Sequence, residues 1–259
     1  MRRYRKATMI LGVIVVILLV VCFLLGHKLY NFYKLEKEVN NYSIELDTNS
    51  AEIKYLYDMA HVDDSCILLH QEVFDSKKLL VNDMSSVYRS QLTSKYYSNQ
   101  VFEGPYDSNG YSLMYVLEDN VRNAYDLVFG PGSGSAITSI RYGIYDLKYN
   151  PEMKRFDGYI TGGGGWVCDY FDEEIISAIK YRDRIEITTV VWFMFNEKEG
   201  IYKDLDGNLK LEFNADGASE NIISDFVNTY KDELQTYKYT YKLNDNGFYN
   251  YYSVERIKN

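Results

Sequence analysis

Residues 185–195 read IEITTVVWFMF, the most apolar of the candidate strands in this sequence. β-Branched and aromatic side chains dominate the run, and both favour extended backbone. A run that is almost continuously apolar is typical of a strand that is buried on both faces. We therefore predict that this strand lies near the centre of a sheet.

The neighbouring sequence supplies partners for this strand. Residues 182–184 (RDR) connect it to an apolar stretch at 175–181 and predict a hairpin. Residues 244–247 (NDNG) join two alternating stretches, 237–243 and 248–254, and predict a second hairpin. Further strands are predicted at 137–149, 156–160, 166–171, 200–202 and 209–213, and a helix at 218–234.

In the first half of the chain the apolar residues are spaced differently. Apolar residues recur at helical spacing in 51–73, 75–97 and 112–129. Because the strands do not alternate with crossover helices, the predicted fold class is α+β. We expect an N-terminal transmembrane helix, followed by helices that pack on a curved antiparallel sheet.

Helices placed before a curved antiparallel sheet resemble the cone-shaped NTF2-like fold. The closing segment, YKYTYKLNDNGFYNYYSVERI at 237–257, is similar to the final hairpin of single-pass, surface-anchored proteins of low-GC Gram-positive bacteria. This resemblance covers the second half of the chain and implies an NTF2-like ectodomain. It implies no functional residues, because that fold carries binding modules and enzymes alike.

The transmembrane prediction rests on residues 7–26, which read ATMILGVIVVILLVVCFLLG and contain no charge. About 20 such residues span the ~30 Å hydrocarbon core of a bilayer as a helix. Basic residues precede the run and aromatic residues follow it, which predicts an anchor whose N-terminus is cytoplasmic. The flanking residues are Arg2, Arg3, Arg5, Lys6, Tyr30 and Tyr33.

These signals predict four regions: a cytoplasmic tail at 1–6, a signal anchor at 7–27, a juxtamembrane stalk at 28–50 and an extracytoplasmic domain at 51–259. A cleaved signal peptide fits less well, because the apolar run is long and no A-x-A motif follows it. A lipoprotein signal fits less well, because Cys22 follows Val and precedes further apolar residues. The stalk has apolar residues at 4-3-4 spacing from Leu35 to Leu46, so it could form a homodimer.

Composition narrows the choice of partners. The 259 residues include 28 basic and 37 acidic side chains, for a formal net charge of −9. This acidity excludes the basic face that nucleic acids require. The partners that remain are the lipid bilayer, through residues 7–27, and a protein or another component of the cell envelope.

Residues 61–70 contain His61, Asp63, Asp64, Cys66 and His70. On a helix only Cys66 and His70 clearly share a face, whereas a metal site needs three or four converging ligands. A Cys66 nucleophile with His70 as its base would be unusual, because both would lie on one helix. We predict that Cys66 packs in the core with His70 near its edge, and we assign no catalytic, metal or cofactor residues.

Cys66 and Cys168 are the two cysteines beyond the predicted anchor. An extracytoplasmic location would permit a disulfide between them. Such a bond would close a loop of about 100 residues and stabilise the fold by roughly 4 kcal/mol. Sequence spacing does not show whether the two residues meet, so the bonded and free states both stay open.

Three loops resemble ligand-binding segments only in part. The glycine-rich stretches 130–135 and 162–165 lack the Gly-Lys-Ser/Thr ending of a P-loop. The acidic stretch 204–208 has neither the glycine at position six nor the glutamate at position twelve of an EF-hand. We predict connections or turns at all three.

The leading functional hypothesis is a non-catalytic binding or interaction module at the cell envelope. The 27 tyrosines support it, because tyrosine supplies rigid, amphipathic contact surface. One alternative is an enzyme or small-ligand receptor with a pocket inside the sheet. Another is a self-associating structural protein of the envelope.

Overall fold

The structure is a computed structural model that describes residues 22, 25–28, 30–31, 42–62, 66–161, 170–195, 201–203, 211–212 and 220–258. The chain forms two compact units, residues 1–44 and 45–259. In the first unit, the described residues from 22 to 31 are helical, and Tyr30 is exposed.

The transmembrane helix of the predicted fold class is not observed. Within the described ranges, no helix combines the length and the apolar character needed to cross a bilayer. The predicted anchor at 7–27 falls mainly outside those ranges, as do its flanking residues other than Tyr30. The predicted fold class therefore has to be corrected on this point.

Five α-helices are described in the second unit. They are α1 (Ala51–Met59), α2 (Gln71–Asp75), α3 (Ser86–Ser94), α4 (Glu118–Phe129) and α5 (Glu220–Tyr230), with 3₁₀ turns at Ile67–His70, Val81–Asp83 and Ser98–Gln100. Serine caps two of them. Ser50 Oγ accepts from the Ile53 N–H at 3.4 Å and Ser85 Oγ from the Tyr88 N–H at 3.0 Å, which satisfies donors that the helix leaves open.

The described strands form two antiparallel sheets. They are β1 (Ile44–Glu45), β2 (Lys78–Leu80), β3 (Phe102–Glu103), β4 (Tyr111–Leu117), β5 (Ser139–Tyr142), β6 (Tyr145–Asn150), β7 (Arg155–Thr161), β8 (Tyr170–Lys180), β9 (Arg184–Phe195), β10 (Ile201–Lys203), β11 (Leu211–Glu212), β12 (Gln235–Leu243) and β13 (Tyr249–Lys258). The larger sheet runs β8-β9-β12-β13-β2, with β10 beside β9 and β11 beside β10. The smaller sheet runs β3-β4-β7-β6-β5.

The prediction for residues 185–195 is confirmed, because β9 lies between β8 and β12. Both of its faces are covered. Ile187 and Val191 join the main core beneath the N-terminal helices. Trp192, on the other face, packs with Phe226 of α5. Double-sided burial explains why polar residues do not alternate along this strand.

Helix α4 packs on the smaller sheet. Its buried residues Val121, Ala124 and Tyr125 share a core with Val116 and Phe156 of that sheet. Val128, one turn further along α4, belongs to the core of the larger sheet. One helix therefore contributes to both cores, and its C-terminal end lies close to β13.

The predicted order of helices followed by one curved, cone-like sheet is wrong. The sequence predicts a helix over 112–129, but its first part is β4, in which Ser112, Met114 and Val116 are buried and the residues between them are more exposed. A strand at β2 also interrupts the helix predicted at 75–97. The apolar residues of β4 fit a helical spacing by chance, which concealed a second sheet. The NTF2-like cone is therefore not observed.

Candidate functional site

The turn between β12 and β13 holds the backbone of an exposed phenylalanine in place. Asn244 Oδ1 accepts hydrogen bonds from the backbone N–H groups of Asn246 at 2.9 Å and Phe248 at 3.0 Å. Gly247 has φ of +82°, a conformation that glycine adopts without strain. The Phe248 side chain is 70% exposed although its backbone is held by these bonds.

Asn250, at the start of β13, connects this turn to α4. Its side-chain nitrogen donates to the Leu127 carbonyl at 2.8 Å, and its Oδ1 accepts from the Asn244 side chain at 2.6 Å. Asn250 is buried and both bonds are partly buried, so water competes for them less than at the surface. A Cβ at Gly130 would lie 3.3 Å from Asn250 Oδ1, so the chain passes close to this amide.

An open cleft of about 510 Å³ lies between α1, α4 and the turn, and we call it the hairpin cleft. Exposed Tyr55, Leu127 and Phe248 line it, as do the buried side chains of Leu56 and Met59. The remaining lining residues are Glu52, Asp126, Pro131, Lys180, Asn244, Asn246, Gly247, Tyr249 and Asn250. This volume falls within the range of about 300–1,000 Å³ that is usual for ligand sites.

Some charged groups of the hairpin cleft already have partners in the fold. Asp126 Oδ1 accepts from the Gly134 N–H at 2.8 Å. Lys180 Nζ lies 5.5 Å from the centre of the Tyr249 ring, within the range of a cation–π contact. Glu52 is exposed in the first turn of α1. Partial burial raises the pKa of Tyr55, so its hydroxyl is a hydrogen-bond donor at neutral pH.

A second depression of about 260 Å³ adjoins the hairpin cleft and shares Pro131, Asn244 and Asn250 with it. Leu243 and Tyr252 are exposed there. Lys242 Nζ lies 3.5 Å from the centre of the Tyr252 ring. Exposed apolar and aromatic side chains therefore occur in both depressions beside the turn, as is common at interaction surfaces.

The histidines and the cysteine predicted as candidates lie in the interior and do not line the cleft. Cys66 and His70 are both buried, which confirms the core prediction for Cys66 and places His70 deeper than predicted. Asp63 and Asp64 lie outside the described residues. Among the residues that are described, no group of three or more His, Cys, Asp and Glu side chains could hold a metal ion.

His61 forms a buried ion pair with Glu173 of β8. Its Nδ1 donates to the Tyr57 carbonyl at 2.6 Å, and its Nε2 contacts Glu173 Oε1 and, at 3.1 Å, the Tyr239 hydroxyl. The side chains of His61 and Glu173 are 10% and 1% exposed.

The surroundings of Glu173 decide its charge state. Burial alone raises the pKa of this carboxyl, but the His61 imidazole beside it lowers the pKa below its usual range overall. Burial also raises the pKa of Tyr239, and the charge of Glu173 raises it further. The group has the residue types of a catalytic site, but none of these side chains lines the hairpin cleft.

The cysteine prediction is answered in part. Cys66 is disulfide-bonded, and Cys22 is free. Cys168 lies outside the described residues, so its pairing with Cys66 stays a prediction.

The glycine-rich stretch 130–135 packs against α4 through Gly134. The Gly134 N–H donates to Asp126, and its carbonyl accepts from Arg122. A Cβ at Gly134 would lie 2.6 Å from the Arg122 carbonyl oxygen, so a close approach of two backbones explains the glycine. Residues 244–247 form the predicted turn. The stretches 162–165 and 204–208 lie outside the described residues.

Sequence reasoning missed the hairpin cleft, because four distant segments of the chain build it. One local signal was available. Phe248 follows directly after the Asn-Asp-Asn-Gly turn, where an exposed polar residue is the usual choice. Comparison with protein-family models, with curated proteins and with solved structures finds no match to this chain. The resemblance to surface-anchored bacterial proteins therefore stays a prediction.

Proposed function

We propose that residues 45–259 form a non-catalytic binding module, and that the hairpin cleft receives a segment of a protein partner. The exposed side chain of Phe248 carries the proposal, because hydrogen bonds to Asn244 fix its backbone before any partner arrives. A residue whose backbone is already ordered loses less conformational entropy on binding. Aromatic anchors of this kind dominate the binding energy of many protein interfaces.

The chemistry of the hairpin cleft favours one type of partner segment. Tyr55, Leu127 and Phe248 offer apolar contact at the rim. Glu52 adds an exposed carboxylate, whereas the Lys180 ammonium already faces the Tyr249 ring. The expected segment therefore carries an apolar anchor side chain with a basic residue beside it. The chain's net charge of −9 would steer such a segment towards the domain.

The proposal includes a location at the outer face of the cell membrane. It is supported by the basic residues of the segment 1–6 and by the uncharged run that follows. A partner in the cell envelope would meet the domain there. Self-association through the stalk is a second route to an interaction, but residues 35–41 of that stalk lie outside the described ranges.

Photo-crosslinking in the native membrane tests the proposal. A photo-reactive phenylalanine analogue replaces Phe248 in the full chain, and a matched chain carries it at Tyr159. Tyr159 is 74% exposed on the smaller sheet and does not line the cleft. We expect a discrete protein adduct at position 248 and none at position 159.

A second substitution tests whether an adduct at position 248 depends on binding in the hairpin cleft. Leu127→Lys places a charge on the rim, where the side chain is exposed and the fold should tolerate it. We expect Leu127→Lys to remove the adduct at position 248. An adduct that persists, one that forms equally at 159, or one that contains lipid or glycan instead of protein would contradict the proposal.

A further inference from the structure

A separate cavity of about 200 Å³ lies between α3, α4 and residues 133–139, and we call it the Arg89 cavity. It shares no residue with the hairpin cleft. Arg89 reaches it from α3 and Tyr125 from α4. Four hydroxyl-bearing residues also line it: Ser86, Ser133, Thr138 and Ser139.

Arg89 has one buried guanidinium N–H group without an acceptor in the part of the chain that the structure describes. Its Nε is buried and has no hydrogen-bond partner there, and no described carboxylate forms an ion pair with it. A buried cationic N–H group without an acceptor is unfavourable. Native proteins leave few such groups, so each of them calls for an explanation.

The surroundings of Arg89 favour a negatively charged ligand. Burial raises the pKa of Tyr125 to about 12 although the positive charge of Arg89 lowers it, so the charge acts on the cavity wall. Two carboxylates of the surrounding elements are engaged elsewhere. Asp126 accepts from the Gly134 N–H, and Glu72 accepts from the Ser85 N–H at 3.0 Å. Neither of these carboxylates lines the cavity.

We propose that the Arg89 cavity binds a phosphate group. The guanidinium supplies charge-assisted hydrogen bonds, and the hydroxyls of Ser86, Ser133, Thr138 and Ser139 supply neutral donors. A phosphate presents three or four acceptor oxygens and can engage several of these donors at once, whereas a carboxylate presents two. The chain as a whole is acidic, so this attraction is local to the cavity. The same chemistry accommodates free phosphate or the phosphate of an ester.

Calorimetric titration of the purified full-length chain at constant ionic strength tests the proposal. The probes are inorganic phosphate, glycerol 3-phosphate and acetate. We expect saturable binding of inorganic phosphate and no measurable binding of acetate. Tighter binding of glycerol 3-phosphate would identify an ester as the source of the phosphate, and equal or weaker binding would identify the free ion.

Arg89→Gln should weaken phosphate binding by at least about tenfold, because a hydrogen bond to a charged group is lost. Arg182→Gln is the matched control, since Arg182 is exposed in the β8–β9 turn and lies outside the cavity; it should leave binding unchanged. Arg89→Lys keeps the charge but removes the Nε donor and should fall between the two. If Arg89→Gln does not fold, Arg89→Lys and Ser139→Ala carry the test.

Three results would overturn the proposal. The first is no phosphate binding by the unmodified chain. The second is binding that both Arg89 variants leave unchanged, and the third is acetate that binds as tightly as phosphate. None of these results affects the hairpin cleft, because the two sites share no residue.

Discussion

Two regions of the domain use aromatic residues in opposite ways. Beside Glu173, the rings of Tyr57 and Tyr239 pack on His61, and Tyr239 is buried while Tyr57 is partly buried. In the hairpin cleft, Tyr55 and Phe248 are exposed while the backbone beside them is held by hydrogen bonds. Buried rings contribute to stability, whereas exposed rings contribute little to it. From this difference we assign the interior cluster of His61, Glu173 and the two tyrosines to stability, and the hairpin cleft to recognition.

The largest effect is expected from His61→Ala. Without the imidazole, the Glu173 carboxylate is left in the interior without its counter-charge. Loss of one partner of a buried pair destabilises a fold by about 3–5 kcal/mol. Arg141→Ala is the control, because Arg141 pairs with Asp146 at 2.7 Å on the surface, where such pairs contribute about 0–1 kcal/mol. Urea unfolding measures both, and equal losses would contradict the assignment of the interior cluster to stability.

The same ion pair predicts how the stability of the fold changes as the pH falls. The folded pKa of Glu173 lies below its usual range, which for an unfolded glutamate is about 4.3. The stability from this carboxylate is therefore present above about pH 4.3 and is lost as pH falls through the folded pKa. Glu173→Gln removes the titrating group and should make the free energy of unfolding less dependent on pH in that window. An unchanged slope would show that other carboxylates cause the acid effect.

A smaller effect is expected from Asn250→Ala at the edge of the hairpin cleft. The change removes two partly buried hydrogen bonds and leaves the Leu127 carbonyl without a side-chain donor, which should destabilise the fold by about 1–3 kcal/mol. Asn246→Ala, in the same turn, is the control, because the side chain there is exposed and only its backbone N–H is used. Thermal unfolding of the two variants compares them. Equal midpoints would show that the connection between the turn and α4 is not important for stability.

The sequence predicted the interior better than it predicted the cleft. IEITTVVWFMF identified β9 as a central strand, because burial on two faces leaves a continuous apolar run. The partnership of His61 with Glu173 was invisible, since 112 positions separate the two in the sequence and only the pairing of distant elements brings them together. The cleft was hidden for the same reason. The misassigned strand β4 shows a further limit, because a short apolar run can fit both the helical and the extended period.

The smallest effect on stability is expected from Phe248→Ala, and it sharpens the comparison most. The ring is exposed, so its removal should change the free energy of unfolding by no more than about 0.5 kcal/mol. Partner binding should nevertheless fall by at least about tenfold, as for an aromatic anchor at an interface. Thermal unfolding measures the change in stability. Binding is measured by photo-crosslinking in the native membrane, with the photo-reactive analogue placed at Tyr55 on the same rim because position 248 is now alanine. A variant that loses stability but keeps its adduct would show that Phe248 supports the fold. That result would contradict the assignment of the exposed aromatic residues of the cleft to recognition.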